Sequence, residues 1–190
     1  MKTFKSDYSK YNKIGHYDES GIKNILFNEI NNIKNINRND MIEIANRTKY
    51  NIEAAIVNNG SKHFYIEGIN RNRVDIKTAL IYESDIIHSH PNGTSLSAED
   101  IIETITFQGK SITAFNDNYI YIFRNNIVED TDFMNLFNIT LSEIEGLLIK
   151  KVNNGTITKS QMDFSMNHKV WLEMSKKLKG FDYESYKISR

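Results

Sequence analysis

Two histidines one residue apart, His88 and His90, are followed by Pro91, the chain's one proline, then by the turn pair Asn92-Gly93, and then by Ser97 and Asp100. Imidazole nitrogens and a carboxylate oxygen are donors that suit Zn²⁺. On a β-strand, residues two apart point to the same face. His88 and His90 therefore aim at one point and can chelate one ion, while Ser89 faces away. Pro91 cannot donate to a ladder and ends the strand. Ser97 is a good N-cap, and Asp100 at the third helical position gives the spacing of a capping box. A first-turn aspartate can fold back toward the strand end. Two histidine nitrogens and one carboxylate oxygen leave a fourth tetrahedral position for water, as a catalytic rather than a structural zinc requires, and such a water has its pKa lowered toward neutrality. Each piece has a plainer role of its own: strands carry paired histidines without metal, Ser97 can simply cap, and Asp100 can simply complement the helix dipole. Their combination points to a metal site.

The elements that must position these groups follow from periodicity. "IEAAIVNNGSKHFYIEG" (52–68) predicts a β-hairpin turning at Asn59-Gly60. "SDIIHSH" (84–90) predicts a strand, "SAEDIIETITF" (97–107) an amphipathic helix, and "SITAFNDNYIYIFR" (111–124) a second hairpin around Asn116, Asp117 and Asn118. Helical spacing marks "SGIKNILFNEINNIKNI" (20–36), capped by Ser20, and the shorter "NDMIEIANR" (39–47). After Asp132 the pattern is helical again, over 132–152 and 158–180, the second helix closing on basic residues and Gly180. Residues 1–17 read as irregular, and the tail "FDYESYKISR" has no assigned structure. The fold class is α/β in the α+β sense: a mixed core at 50–125, with helical extensions at 1–49 and 126–190, packed as one compact unit.

The 190 residues carry 24 basic and 24 acidic side chains. A neutral chain is not built mainly to grip nucleic acid, since backbone binding rests on accumulated Lys and Arg. Apolar runs are too short and too interrupted by charge to span a membrane, and the polar amino terminus lacks the apolar core of a secretory signal. With no cysteine, any metal site must use nitrogen and oxygen ligands, and a cytoplasmic location is expected. His16 and His168 lack a partner motif, and His63 on the first hairpin is read as structural or exposed. Trp171 is read as helix core. Ser95 is an alternative to Ser97, which has the better spacing to Asp100.

"HSHPNGTSLSAED" (88–100) resembles the metal-binding motif of the JAB/MPN/JAMM metalloprotease family: His-x-His-Pro, a short gap, then Ser-x-x-Asp. The resemblance implies that His88, His90 and Asp100 bind Zn²⁺ and that Ser97 supports the oxyanion formed from the scissile carbonyl. It further implies a glutamate on an earlier strand as general acid/base. Glu53, opening the first hairpin strand, is the choice, with Glu67 as fallback; Glu83 lies too close to His88 in sequence. The implied fold is a cytidine-deaminase-like mixed sheet flanked by helices, over about residues 50–125, and the implied activity is hydrolysis of a peptide or isopeptide bond in a protein or peptide substrate. The gap of five residues between Pro91 and Ser97 is one shorter than in the deubiquitinating members and resembles the prokaryotic domains associated with toxins and phage. Ubiquitin specificity is therefore not implied, and the expected setting is a bacterial cytoplasm or a phage-encoded or effector protein. Two rival expectations stand beside it: a phage or mobile-element assembly module that retains the metal site, and a metal-dependent hydrolase of a non-peptide bond.

Overall fold

The computed structural model describes residues 38–47, 52–60, 62–68, 73–127 and 132–188; the helix expected at 20–36 lies outside them. In chain order the elements are α1 (Arg38–Arg47), β1 (Ala54–Asn58), β2 (His63–Glu67), α2 (Thr78–Ile81), β3 (Asp85–Ser89), α3 (Ala98–Thr106), β4 (Ser111–Phe115), β5 (Tyr119–Asn125), α4 (Phe133–Asn153), α5 (Lys159–Lys177) and β6 (Phe181–Lys187). The strands form one six-stranded sheet in the order β2-β1-β3-β4-β5-β6. The fold is thus a mixed α/β sheet flanked by helices.

Both expected hairpins form. Asn58 pairs with His63 across the Asn59-Gly60 turn, where Gly60 has φ +83°. At the second turn the Asn116 side chain accepts the N–H groups of Asn118 and Tyr119 at 2.9 and 3.0 Å, an Asx-type closure. The parallel pair β3–β4 cannot be joined by a tight turn, so the chain crosses over through α3. This crossover makes the corner at residues 90–97, because β3 must end, reverse and enter a helix there. In open α/β sheets ligand crevices form at such carboxyl ends of strands.

Strand alternation sorts the core into two layers. On one face Ala54, Ile56, Ile87, Phe115, Ile120 and Ile122 pack against Met41 and Ile44 of α1. On the other, Val57, Ile86, Ile112, Tyr121 and Phe123 pack with Ile101 of α3, Phe133 and Phe137 of α4, and Trp171 of α5.

The tail without an assigned structure is strand β6, paired antiparallel with β5 from Asn125↔Phe181 to Tyr119↔Lys187. Phe181 and Tyr183 are buried, whereas Asp182 and Glu184 face outward. This edge strand buries so few positions that its four charged or hydroxyl residues, Asp182, Glu184, Ser185 and Lys187, conceal its period. Gly180 turns the chain from α5 into it at φ +84°, and a Cβ there would collide with the Asn126 carbonyl. Gly180→Ala combines left-handed strain with that backbone clash, so a loss of about 2 kcal/mol or more is expected. A denaturant midpoint equal to wild type would contradict this tight α5–β6 junction.

Candidate metal centre

His88 sits on β3 opposite Ala55 of β1 and Ala114 of β4. His90 lies just past the strand, held extended by its N–H bond to the Phe115 carbonyl at 2.8 Å. The shared face expected of the pair is realised: the two Nε2 atoms are 2.7 Å apart. The His90 Nδ1–H donates to the Thr94 carbonyl at 3.0 Å. That bond fixes the tautomer and leaves Nε2 as the ligating nitrogen, as outer-shell partners of metal-bound histidines do.

The capping box forms as expected: Ser97 Oγ accepts the Asp100 N–H at 3.1 Å, and Asp100 Oδ2 accepts the Ser97 N–H at 2.7 Å. The cap also aims the carboxylate. Asp100 Oδ1 lies 3.7 Å from His88 Nε2, and Oδ2 lies 3.7 Å from His90 Nε2.

Glu53 immediately precedes β1, and its Oε1 lies 4.0 Å from both imidazole Nε2 atoms. Its backbone is tied on two sides. The Gly68 N–H donates to its carbonyl at 2.7 Å, and the N–H of Ala54 donates to Ser89 Oγ at 3.1 Å. Ser89, turned away from the imidazoles, thereby couples β3 to the end of β1. Gly68 is needed here, since a Cβ at this position would collide with the carbonyls of Arg73 and Glu53.

These groups shift one another's protonation. Burial is the largest influence on Glu53 and pushes its carboxyl up to about 7; His88 works against this and Asp100 with it. Burial acts to raise Asp100 as well, but the two imidazoles and the Ser97 side chain outweigh it and hold the carboxyl well below the usual carboxylate range. Burial disfavours charge on His88, yet the neighbouring Asp100 and Glu53 carboxylates raise it overall. His90, buried and beside His88, is lowered to about 4. A neutral His90 beside a depressed carboxylate is the ionisation state a cation needs in its ligands.

Two donor sets can be drawn. Asp100 is the carboxylate nearer both nitrogens, whereas Glu53, His88 and His90 each offer a donor atom within 4.8 Å of the other two. Ligand atoms around a tetrahedral zinc with bonds of about 2.0–2.1 Å lie roughly 3.3 Å apart. The observed separations of 2.7 to 4.0 Å bracket that value, so the residues fit a divalent ion after shifts of a few tenths of an ångström.

Glu53, His88, His90, Ser97 and Asp100 all line one cavity of about 380 Å³, whose lining residues all fall between 53 and 112. Ile76, Ile81, Ile86 and Ile112 line its apolar part; Arg73, Asp75, Glu99 and Glu103 add charge. Glu67 is not among the lining residues. It pairs with Ala54, whose side chain belongs to the α1 layer, and strand parity therefore separates it from Glu53. Ser95 is buried and off the cavity, whereas Ser97 lines it, as do Thr94 and Thr104. The acids flanking Asp100 were not singled out in the sequence, although Glu99 and Glu103 sit four apart and so share one face of α3.

His168 takes a plainer place, its Nδ1 3.0 Å from the Tyr183 hydroxyl. Among the described residues no helix is long and apolar enough to cross a membrane. No protein-family model matches the chain, and neither a curated protein nor a solved structure is found to be similar to it.

Proposed function

We propose that this chain is a zinc-dependent hydrolase of the JAB/MPN/JAMM type, cleaving a peptide or isopeptide bond. The observation that supports this reading is the convergence of two imidazoles and two carboxylates in one cavity at the carboxyl end of β3. His88, His90 and Asp100 hold the ion in this assignment. The ion supplies Lewis acidity, activating a water and polarising the scissile carbonyl. Glu53, near neutral pKa and within reach of the same point, takes the water's proton and returns it to the leaving amine. Ser97, its Oγ already accepting from Asp100, keeps its own hydroxyl proton to donate to the developing oxyanion. A bacterial cytoplasm, or delivery as a phage-encoded or effector protein, is the setting proposed with this activity.

The test pairs metal content with turnover. The double variant His88→Ala/His90→Ala is expected to lose one zinc equivalent relative to wild type, and with it all hydrolysis of labelled casein and of isopeptide-linked lysine substrates. Undiminished zinc content measured by elemental analysis on the folded variant would remove the basis of the reading.

A further inference from the structure

Helix α5 passes the metal corner and brings an exposed aromatic ring beside it. Trp171 of α5 reaches the corner at Leu96. Phe164 lies seven residues earlier, two turns along the same stripe of the helix and about 10 Å closer to its start. There the ring meets the 92–93 turn. A Cβ built on Gly93 would stand 3.8 and 3.9 Å from Phe164 Cε2 and Cζ, so the edge of the ring covers the open side of that glycine at ordinary contact distance. Phe164 is nevertheless 50 % exposed, the one exposed phenylalanine among the described residues.

The turn under the ring belongs to the candidate site. The Gly93 N–H donates to the His90 carbonyl at 2.8 Å, and Gly93 has φ +79°, a conformation open mainly to glycine. The ring is therefore seated on the closed turn that begins at His90. Asn92 and Thr94, on either side of Gly93, both line the metal cavity. A group that leaves the cavity past residues 92–94 meets Phe164. The charged lining comes from elsewhere, Arg73 and Asp75 from the stretch before α2 and Glu99 and Glu103 from α3. Covering apolar surface that stands in water is favourable when the covering group is itself apolar. A phenyl ring offers no donor or charge with which to hold a polar side chain.

We propose that Phe164 is a specificity-determining residue: with the Gly93 turn it forms an apolar subsite beside the His88–His90 centre, which takes a large aliphatic or aromatic side chain of a peptide substrate close to the bond that is cut. The cut rests on the hydrolase reading; the subsite rests on the seat of the ring on the 92–93 turn. Because the contact is the same in the bound and in the reacting peptide, it acts on KM rather than on kcat.

The experiment uses the full zinc-loaded chain and two pools of short fluorescein-labelled peptides, one containing Leu, Phe and Met and the other with Ser and Gly in their place. Wild type is expected to bind the apolar pool about 10-fold more tightly by fluorescence anisotropy, and to cleave it with a KM about 10-fold lower, the order of discrimination a hydrophobic pocket supplies. Phe164→Ala is expected to lose that preference in both readings while keeping its zinc content and circular dichroism spectrum; Phe164→Leu is expected to keep most of it. Phe164→Gln, which retains side-chain length without the apolar ring, takes the place of Phe164→Ala should that variant fail to fold. Equal binding of the two pools by wild type, or an undiminished preference in Phe164→Ala or Phe164→Gln, overturns the subsite. Cleavage of both pools with the same KM overturns it too and leaves the hydrolase reading standing. Phe164-dependent binding of the apolar pool with no cleavage of either does the reverse.

Discussion

Glu53→Gln is expected to lower kcat/KM by about 10²–10⁴-fold, the range for removing a positioned proton-transfer group, while the zinc content stays at the wild-type value. Glutamine keeps the shape that fills the space beside Ala54 and the imidazoles but cannot accept a proton. The pH profile should separate this loss from misfolding. In the proposed reaction Glu53 can act as a base only when ionised, so the wild-type rate is expected to rise with pH through a limb at or below about 7, lowered further by a bound cation. The glutamine variant lacks that limb. Stability moves the other way. Burial raises the folded pKa of Glu53 from 4.5 to about 7, so between those values the folded state holds the proton more tightly than the unfolded state. Glu53 therefore costs stability as pH rises through that window, and the cost is complete above it. Metal-free Glu53→Gln is expected to be more stable than wild type at pH 8, by up to roughly 3 kcal/mol, with the gain shrinking as pH falls from 7 toward 4.5. A variant that is at least as stable, keeps its zinc and still hydrolyses at the wild-type rate would end the proton-transfer role of Glu53.

The geometry of the candidate site was legible in the sequence because local rules set most of it. Alternation along β3 aims His88 and His90 together, and the Ser97–Asp100 capping box is a four-residue device that works wherever a helix begins. Glu53 was a longer reach, across 35 residues to His88, and what brings it there is parity: Glu53, just before β1, falls on the side of Ala55 and Val57, and Ala55 sits opposite His88. Glu67, paired with Ala54, takes the other face for the same reason.

What was not legible depended on non-local pairing. Nothing in "FDYESYK" shows that it completes the sheet, since Phe181 and Tyr183 are read as core only once Phe123 and Asn125 are known to lie opposite. Likewise α1 and β2 are remote from any motif, and only the packing of the helix on the sheet brings Asp40 and Glu43 to His63. The division into core and extensions was drawn from a change of period. A change of period marks where helices follow strands, but it does not show which residues pack together.

Trp171 shows how closely the carboxyl-terminal helices are bound to the site, and its truncation should cost more stability than Gly180→Ala or any change at Glu53. The side chain is fully buried, stacked on Phe137 with ring centroids 5.3 Å apart and near Phe181 at 6.0 Å. Its Nε1–H donates to the Leu96 carbonyl at 2.9 Å, and Leu96 directly precedes Ser97. Trp171→Ala is expected to cost about 3–5 kcal/mol through lost contacts and the cavity left behind. That is a large share of the roughly 5–15 kcal/mol that holds a domain together and lowers Tm by on the order of 10 °C. Trp171→Phe separates packing from polarity. It retains a ring against Phe137 but leaves the buried Leu96 carbonyl without its donor, a loss of about 1–3 kcal/mol. Because that carbonyl lies one residue before the N-cap that aims Asp100, Trp171→Phe should also weaken zinc binding at temperatures well below its melting point. A helix that merely covered the sheet would alter Tm and leave zinc affinity unchanged, and that outcome would detach α5 from the metal corner. The same bond predicts that a chain ending at Asn126 does not fold around the histidine pair, since it lacks both the donor to Leu96 and the aromatic layer against Phe123.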